Sequence, residues 1–97
     1  MTAYCLFDNL EITNPEPLAE YARRALPTVQ AYGGEYVVVR GAFHSREGSW
    51  VPTDPVMIRF PSIEAADAWY ESADYAPLKA LRQSTGTFNV VFIEGIG

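Results

Sequence analysis

The first apolar stretch, from Ala3 to Ile12, places Tyr4, Leu6, Leu10 and Ile12 on one parity and Cys5 and Phe7 on the other. That alternation predicts a strand, interrupted at Asp8-Asn9. Thr13-Asn14-Pro15-Glu16 then offers cap candidates, a proline suited to the first helical position, and an acid where the helix dipole favours one. From there Leu18, Tyr21, Ala22, Ala25, Leu26 and Val29 recur at spacings of three and four, which predicts a helix with one side toward a core. Glu20 and Arg24 are spaced to pair on its wet side. Pro27 cannot donate to the Arg23 carbonyl, so a kink or local break is expected there. Gly33-Gly34 ends the helix, because a left-handed cap suits glycine.

Glu35 to Phe43 contains the run Tyr36-Val37-Val38-Val39, which predicts a strand covered on both faces. Gly41 to Pro55, with Gly48, Pro52 and Pro55, is a long connection. Pro55 to Phe60 is a third strand, and Ser62 is placed to cap the helix that follows. In that helix Ile63, Ala66, Trp69 and Tyr70 share one side, opposite Glu64, Asp67 and Glu71. Asp74 is the cap candidate for a further helical segment carrying Pro77 in its first turn and Leu78 and Leu81 facing inward; Gly86 closes it. Phe88 to Glu94 is the last strand. The order β-α-β-β-α-β predicts an α+β, ferredoxin-like domain: a four-stranded antiparallel sheet with its helices on one face. The other face is then bare although its strands are apolar on both parities, and each exposed aliphatic or aromatic side chain forgoes ~1.5–3 kcal/mol of burial. A second copy packed sheet against sheet covers it, so a homodimer is expected.

Composition narrows the function. A chain of 97 residues makes one domain, spanning 1–97, with a modest core. Twelve acids against seven bases leave a formal net charge of -5, unsuited to a phosphate backbone, so no nucleic acid partner is expected. No apolar run approaches a membrane span, and Met1-Thr2-Ala3-Tyr4 lacks the basic start of a signal peptide, so the expected location is cytoplasmic. Cys5 is the single cysteine, which excludes an internal disulfide and any cysteine-pair zinc site. Metal-ligand spacing, a phosphate-binding glycine loop and a serine elbow are all missing, so no metal or cofactor is expected. There is no internal repeat.

One set of residues is familiar as a group: Tyr32-Gly33-Gly34, Glu47-Gly48-Ser49-Trp50-Val51-Pro52, Phe60-Pro61-Ser62-Ile63-Glu64-Ala65-Ala66, Trp69-Tyr70-Glu71-Ser72, Tyr75, Arg82 and Glu94-Gly95. In this order, over nearly the whole chain, they resemble the domain-of-unknown-function 1330 family. The resemblance implies a dimeric α/β barrel, related in fold to small monooxygenases, muconolactone-isomerase-like enzymes and other compact proteins that bind apolar or aromatic compounds. It implies no particular reaction, since one fold hosts many chemistries. The chain departs from the family pattern at Asp54-Pro55, where a basic residue is usual, and at Arg59, where an acid is common.

The candidate chemistry is sparse. His44 is the only side chain whose ordinary pKa lies close to neutral, and Glu47 follows it by three residues. The plainer reading is an exposed loop histidine. Arg82, after Leu78 and Leu81, can bring a fixed cation to the edge of an apolar face and bind a carboxylate or enolate oxygen. Its plainer reading is a structural salt bridge with Glu94 or Asp8. Tyr32, Trp50 and Trp69 are candidates to line a pocket for a flat apolar ligand, Trp50 as a lid, although aromatic residues more often fill a core. Arg40 and Arg59, inside apolar strands, suit a sheet edge or a dimer seam. Cys5 is expected to be a buried, inert thiol. Two functions follow: a dimer that binds a small apolar or aromatic molecule, or a cofactor-free isomerase or monooxygenase-like enzyme using Arg82 with His44 or Tyr32. The lack of a convincing acid/base pair favours binding. The enzyme reading requires Arg82 and His44 to face one cavity.

Overall fold

The computed structural model describes residues 1–97, and the elements follow the order β1 (Ala3–Ile12), α1 (Pro15–Ala31), β2 (Glu35–Val39), β3 (Pro55–Phe60), α2 (Ile63–Tyr70), α3 (Ala76–Ser84) and β4 (Gly86–Glu94). The strands form one antiparallel sheet in the order β2-β3-β1-β4, the ferredoxin-like arrangement, and no helix is long and apolar enough to cross a membrane. Cys5 and Phe7 of β1, Ile58 and Phe60 of β3 and Phe92 of β4 point to the helical side. There they meet Ala25 and Val29 of α1, Ala66 and Trp69 of α2 and Leu78 of α3. Trp69 is the centre, 0% exposed, with ring centroids at 5.4 Å from Phe60 and 4.2 Å from Tyr75, and its indole N–H donates to Thr28 Oγ1 at 3.0 Å.

Local chemistry sets the element ends. Pro15 opens α1, and Gly33 at φ +81° turns the chain out of it. The helix runs unbroken through Pro27, and Pro27 and Arg23 both lie on its exposed side, where the loss of one backbone bond costs less than in the core. Ser62 caps α2, accepting from the Ala65 N–H at 3.0 Å. Before α3 the bonding hydroxyl belongs to Ser72, which accepts from the Tyr75 N–H at 3.1 Å and donates to the Trp69 carbonyl at 2.7 Å; Asp74 plays no such part. Thr85 closes α3 with its hydroxyl on the Arg82 carbonyl at 2.6 Å. Gly86 instead begins β4, where its missing Cβ lets the strand lie against the Glu11 carbonyl beside a bulge in β1. β2 stops at Val39 because Arg40 turns to φ 53°, and as an edge strand it leaves Val37 and Val39 exposed rather than covered.

The sheet side away from the helices is oily, as the double-parity pattern predicts. One row across it reads Val38, Met57, Leu6, Val91; the next reads Glu35, Arg59, Tyr4, Ile93. Val91 is 48% and Ile93 54% exposed. Arg59 of β3 pairs with Glu35 of the neighbouring edge strand β2. The connection between β2 and β3 passes beside this face, where Phe43, Trp50 and Pro52 line a groove together with Leu6, Met57 and Val91. Asp8 of β1 anchors that connection, accepting the Thr53 N–H at 2.9 Å and the Asp54 N–H at 2.7 Å.

Candidate functional site

Between α1 and the helical side of the sheet lies a cavity of about 620 Å³. Leu18, Tyr21, Ala22 and Leu26 form the α1 wall; Phe7, Tyr36, Val56 and Ile58 form the sheet wall. Their helical and alternating spacings explain the arrangement, since both inner faces are apolar but α1 does not close fully onto the sheet. The polar atoms in this lining are few: Asn9, Arg40, Arg82 and the phenols of Tyr21 and Tyr36. Two guanidiniums and no carboxylate therefore face a cavity in a chain whose net charge is -5.

Arg82 is 3% exposed and makes no ion pair. The expected bridge to Glu94 or Asp8 is absent, because Asp8 is taken by the backbone of the β2–β3 connection and Glu94 ends β4 at an exposed position. Phenol oxygens replace it: Arg82 Nε donates to Tyr75 Oη at 3.4 Å and Nη2 to Tyr70 Oη at 3.3 Å. Tyr75 Oη in turn bonds Tyr21 Oη at 2.7 Å. The guanidinium also lies 5.3 Å from the Phe7 ring centroid and 5.1 Å from that of Phe88. Both bonds are long, and Nη1 has no partner in the chain. No fully buried side-chain polar atom is left without a partner, so Nη1 keeps some accessible surface, and Arg82 is one of the residues that line the cavity.

This surrounding holds the protonation states fixed. Burial works against the Arg82 charge, but the neighbouring phenol oxygens, Tyr75 first, outweigh it and the guanidinium sits above its ordinary pKa. Burial pushes the Tyr21 phenol far above its ordinary value and raises Tyr75, while it moves Tyr36 up to about 12. The cavity thus offers a permanent cation and neutral phenols. None of its lining residues is a histidine, a carboxylate, a lysine or a cysteine. Cys5 is buried, and desolvation lifts its thiol to about 12, in keeping with an inert role.

Of the residues singled out from the sequence, Arg82 and Arg40 line this cavity, Arg40 having been expected only at a sheet edge or dimer seam. His44 and Glu47 are exposed on the β2–β3 connection, and His44 lines neither the cavity nor the groove on the opposite face. Trp50, 75% exposed, belongs to that outer groove. Tyr32 caps the end of α1, half-buried against the core, and Trp69 is wholly interior. Sequence reasoning missed Tyr70 and Tyr75 as partners of the cation, with Tyr21 bonded behind Tyr75. The available signal was Tyr21 on the inner face of α1, a position where a buried phenol needs a polar partner.

A four-stranded antiparallel sheet with helices on one face, with a partly open apolar cavity between them and one buried cation in its wall, defines a small α+β domain of ferredoxin-like fold. The chain belongs to the family described as domain of unknown function (DUF1330), whose model matches residues 2–96. Among solved structures it is similar to RPA0582, a protein of unknown function from Rhodopseudomonas palustris, at a TM-score of 0.75 and 18% identity, covering 99% of this chain and 83% of that one. It is also similar to Rv0793 from Mycobacterium tuberculosis, at 0.57 and 13% identity, over 100% of this chain and 97% of that one. An antibiotic biosynthesis monooxygenase matches at 0.55 and 12% identity over 100% of both chains. At such identities the likeness is one of fold. No curated protein matches the chain.

Proposed function

We propose that the protein is a homodimeric binding domain that takes up a small, mainly apolar or aromatic molecule carrying an oxyanion, with Arg82 as its anchor. The observation behind this reading is a guanidinium 3% exposed, without a carboxylate partner, at the wall of an apolar cavity. A buried cation held only by neutral oxygens is costly, and a ligand oxyanion meeting it gains a charge-assisted hydrogen bond in a site sheltered from water. The apolar walls then select the body of the ligand. Calorimetric titration tests this: benzoate is expected to bind and benzyl alcohol to bind at least ~tenfold more weakly, a difference of about 1.4 kcal/mol. Arg82→Met should abolish the preference while its melting temperature stays level or rises, since a buried charge gives way to an apolar side chain of similar length. Equal binding of the two probes, or an unchanged preference in Arg82→Met, defeats the reading.

A second reading, a cofactor-free isomerase or monooxygenase-like enzyme, draws on the fold shared with the antibiotic biosynthesis monooxygenase. In it Arg82 stabilises a developing oxyanion, but His44 and Tyr32, the proton carriers it called for, lie outside the cavity lining. It requires a proton carrier from outside the cavity wall, because no lining side chain titrates near neutral pH.

A further inference from the structure

The mouth of the cavity holds a second polar group, built at some expense to the backbone. Arg40 has φ 53°, a left-handed conformation that side chains other than glycine, asparagine and aspartate seldom adopt. Two contacts hold it there: its N–H donates to the Pro55 carbonyl at 2.8 Å, and its Nε donates to Asp54 Oδ1 at 2.9 Å. The other Asp54 oxygen accepts from Asn9 Nδ2 at 3.1 Å. One carboxylate thus ties together the only two polar side chains of the cavity lining other than Arg82 and the phenols. The bond through Nε leaves both terminal nitrogens of Arg40 without a partner in the chain, and Arg40 is exposed where Arg82 is buried. A residue that tolerates a strained backbone, is clamped by a partner and keeps free donors at a cavity mouth is arranged to meet something there.

We propose that the ligand is polar at both ends: an oxyanion at Arg82 inside, an apolar middle along α1 and the sheet, and a second carboxylate or a carbonyl oxygen at Arg40 and Asn9 at the mouth. This rests on the reading of Arg82 as the inner anchor and adds Arg40 as the residue that determines specificity. Because Asp54 already balances the Arg40 charge, the outer group needs to accept hydrogen bonds and does not need to be charged.

The test is calorimetric titration of three matched series: the straight-chain monocarboxylates from hexanoate to decanoate, the dicarboxylates from adipate to sebacate, and the methyl-ketone acids of the same lengths. In the unaltered protein, the best-fitting dicarboxylate or keto acid is expected to bind at least about tenfold more tightly than the monocarboxylate of its length. Arg40→Gly should bring that ratio to within about twofold. Glycine suits φ 53°, so this variant keeps or gains stability, and a thermal melt verifies that it is folded. Which series gains tells a carboxylate from a carbonyl oxygen. Equal affinities across all three series, or an advantage that survives Arg40→Gly, overturns the two-ended ligand while Arg82 as anchor stands. Failure of every series to bind overturns both.

Discussion

Burial without a counter-charge distinguishes the residues that matter most. Arg82 keeps its proton and the phenols keep theirs, so the interior has no group that changes charge near neutral pH. The consequence appears only in alkali. Cys5 rises from an ordinary 9.0 to about 12 and Tyr36 from 10.0 to about 12, in each case chiefly through desolvation. Both are neutral as acids, so below the unfolded-state values they contribute no pH dependence. Above about pH 9 the unfolded thiol loses its proton while the folded one keeps it, and stability falls by ~1.4 kcal/mol per pH unit for such a group. Tyr36 adds to the slope above about pH 10 by the same sign. Urea unfolding followed from neutral to alkaline pH should therefore be flat in these contributions and then steepen. Cys5→Ala should delay the onset relative to the parent chain; an unchanged onset would show that the thiol is not desolvated.

At the scale of elements, most boundaries were legible because they depend on neighbours in sequence. Pro55 to Phe60, the Ser62 cap and the Gly33 turn need only local chemistry, and they stand where the pattern puts them. What was not legible depends on packing between elements. The partner of Arg82 is a phenol brought by the turn before α3, and the pairing of Tyr21 with Tyr75 spans 54 positions. Composition offers Glu94 and Asp8 as equally good partners until the fold assigns Asp8 elsewhere. The same residue shows how one side chain controls an element. The Asp8 carboxylate receives two backbone N–H groups at the end of the β2–β3 connection. Asp8→Ala should lower stability by about 2 kcal/mol, as two donors lose their acceptor. Hydrogen exchange at Thr53 and Asp54 should accelerate more than exchange in β3, because the connection loosens before the sheet opens. Uniform acceleration throughout the sheet would contradict that role.

For the whole molecule, association is the outstanding question of function. The rows Val38-Met57-Leu6-Val91 and Tyr4-Ile93 give the proposed homodimer an apolar seam, and the β2–β3 connection passes beside it. Sedimentation at micromolar protein should yield a particle of twice the 10.8 kDa chain mass, and Leu6→Asp, which sets a charge in the middle of the first row, should yield the single chain. A parent protein that sediments as one chain refutes the dimer. The alternation of β1 has a final bearing on this. Phe7 walls the inner cavity, whereas Leu6 and Asp8, its immediate neighbours, belong to the outer groove. Guest and twin would thus press on opposite sides of the same few peptide units. Should occupancy strengthen self-association by some factor, self-association must strengthen occupancy by that same factor, so titrations at dilute and concentrated protein are two legs of one thermodynamic cycle.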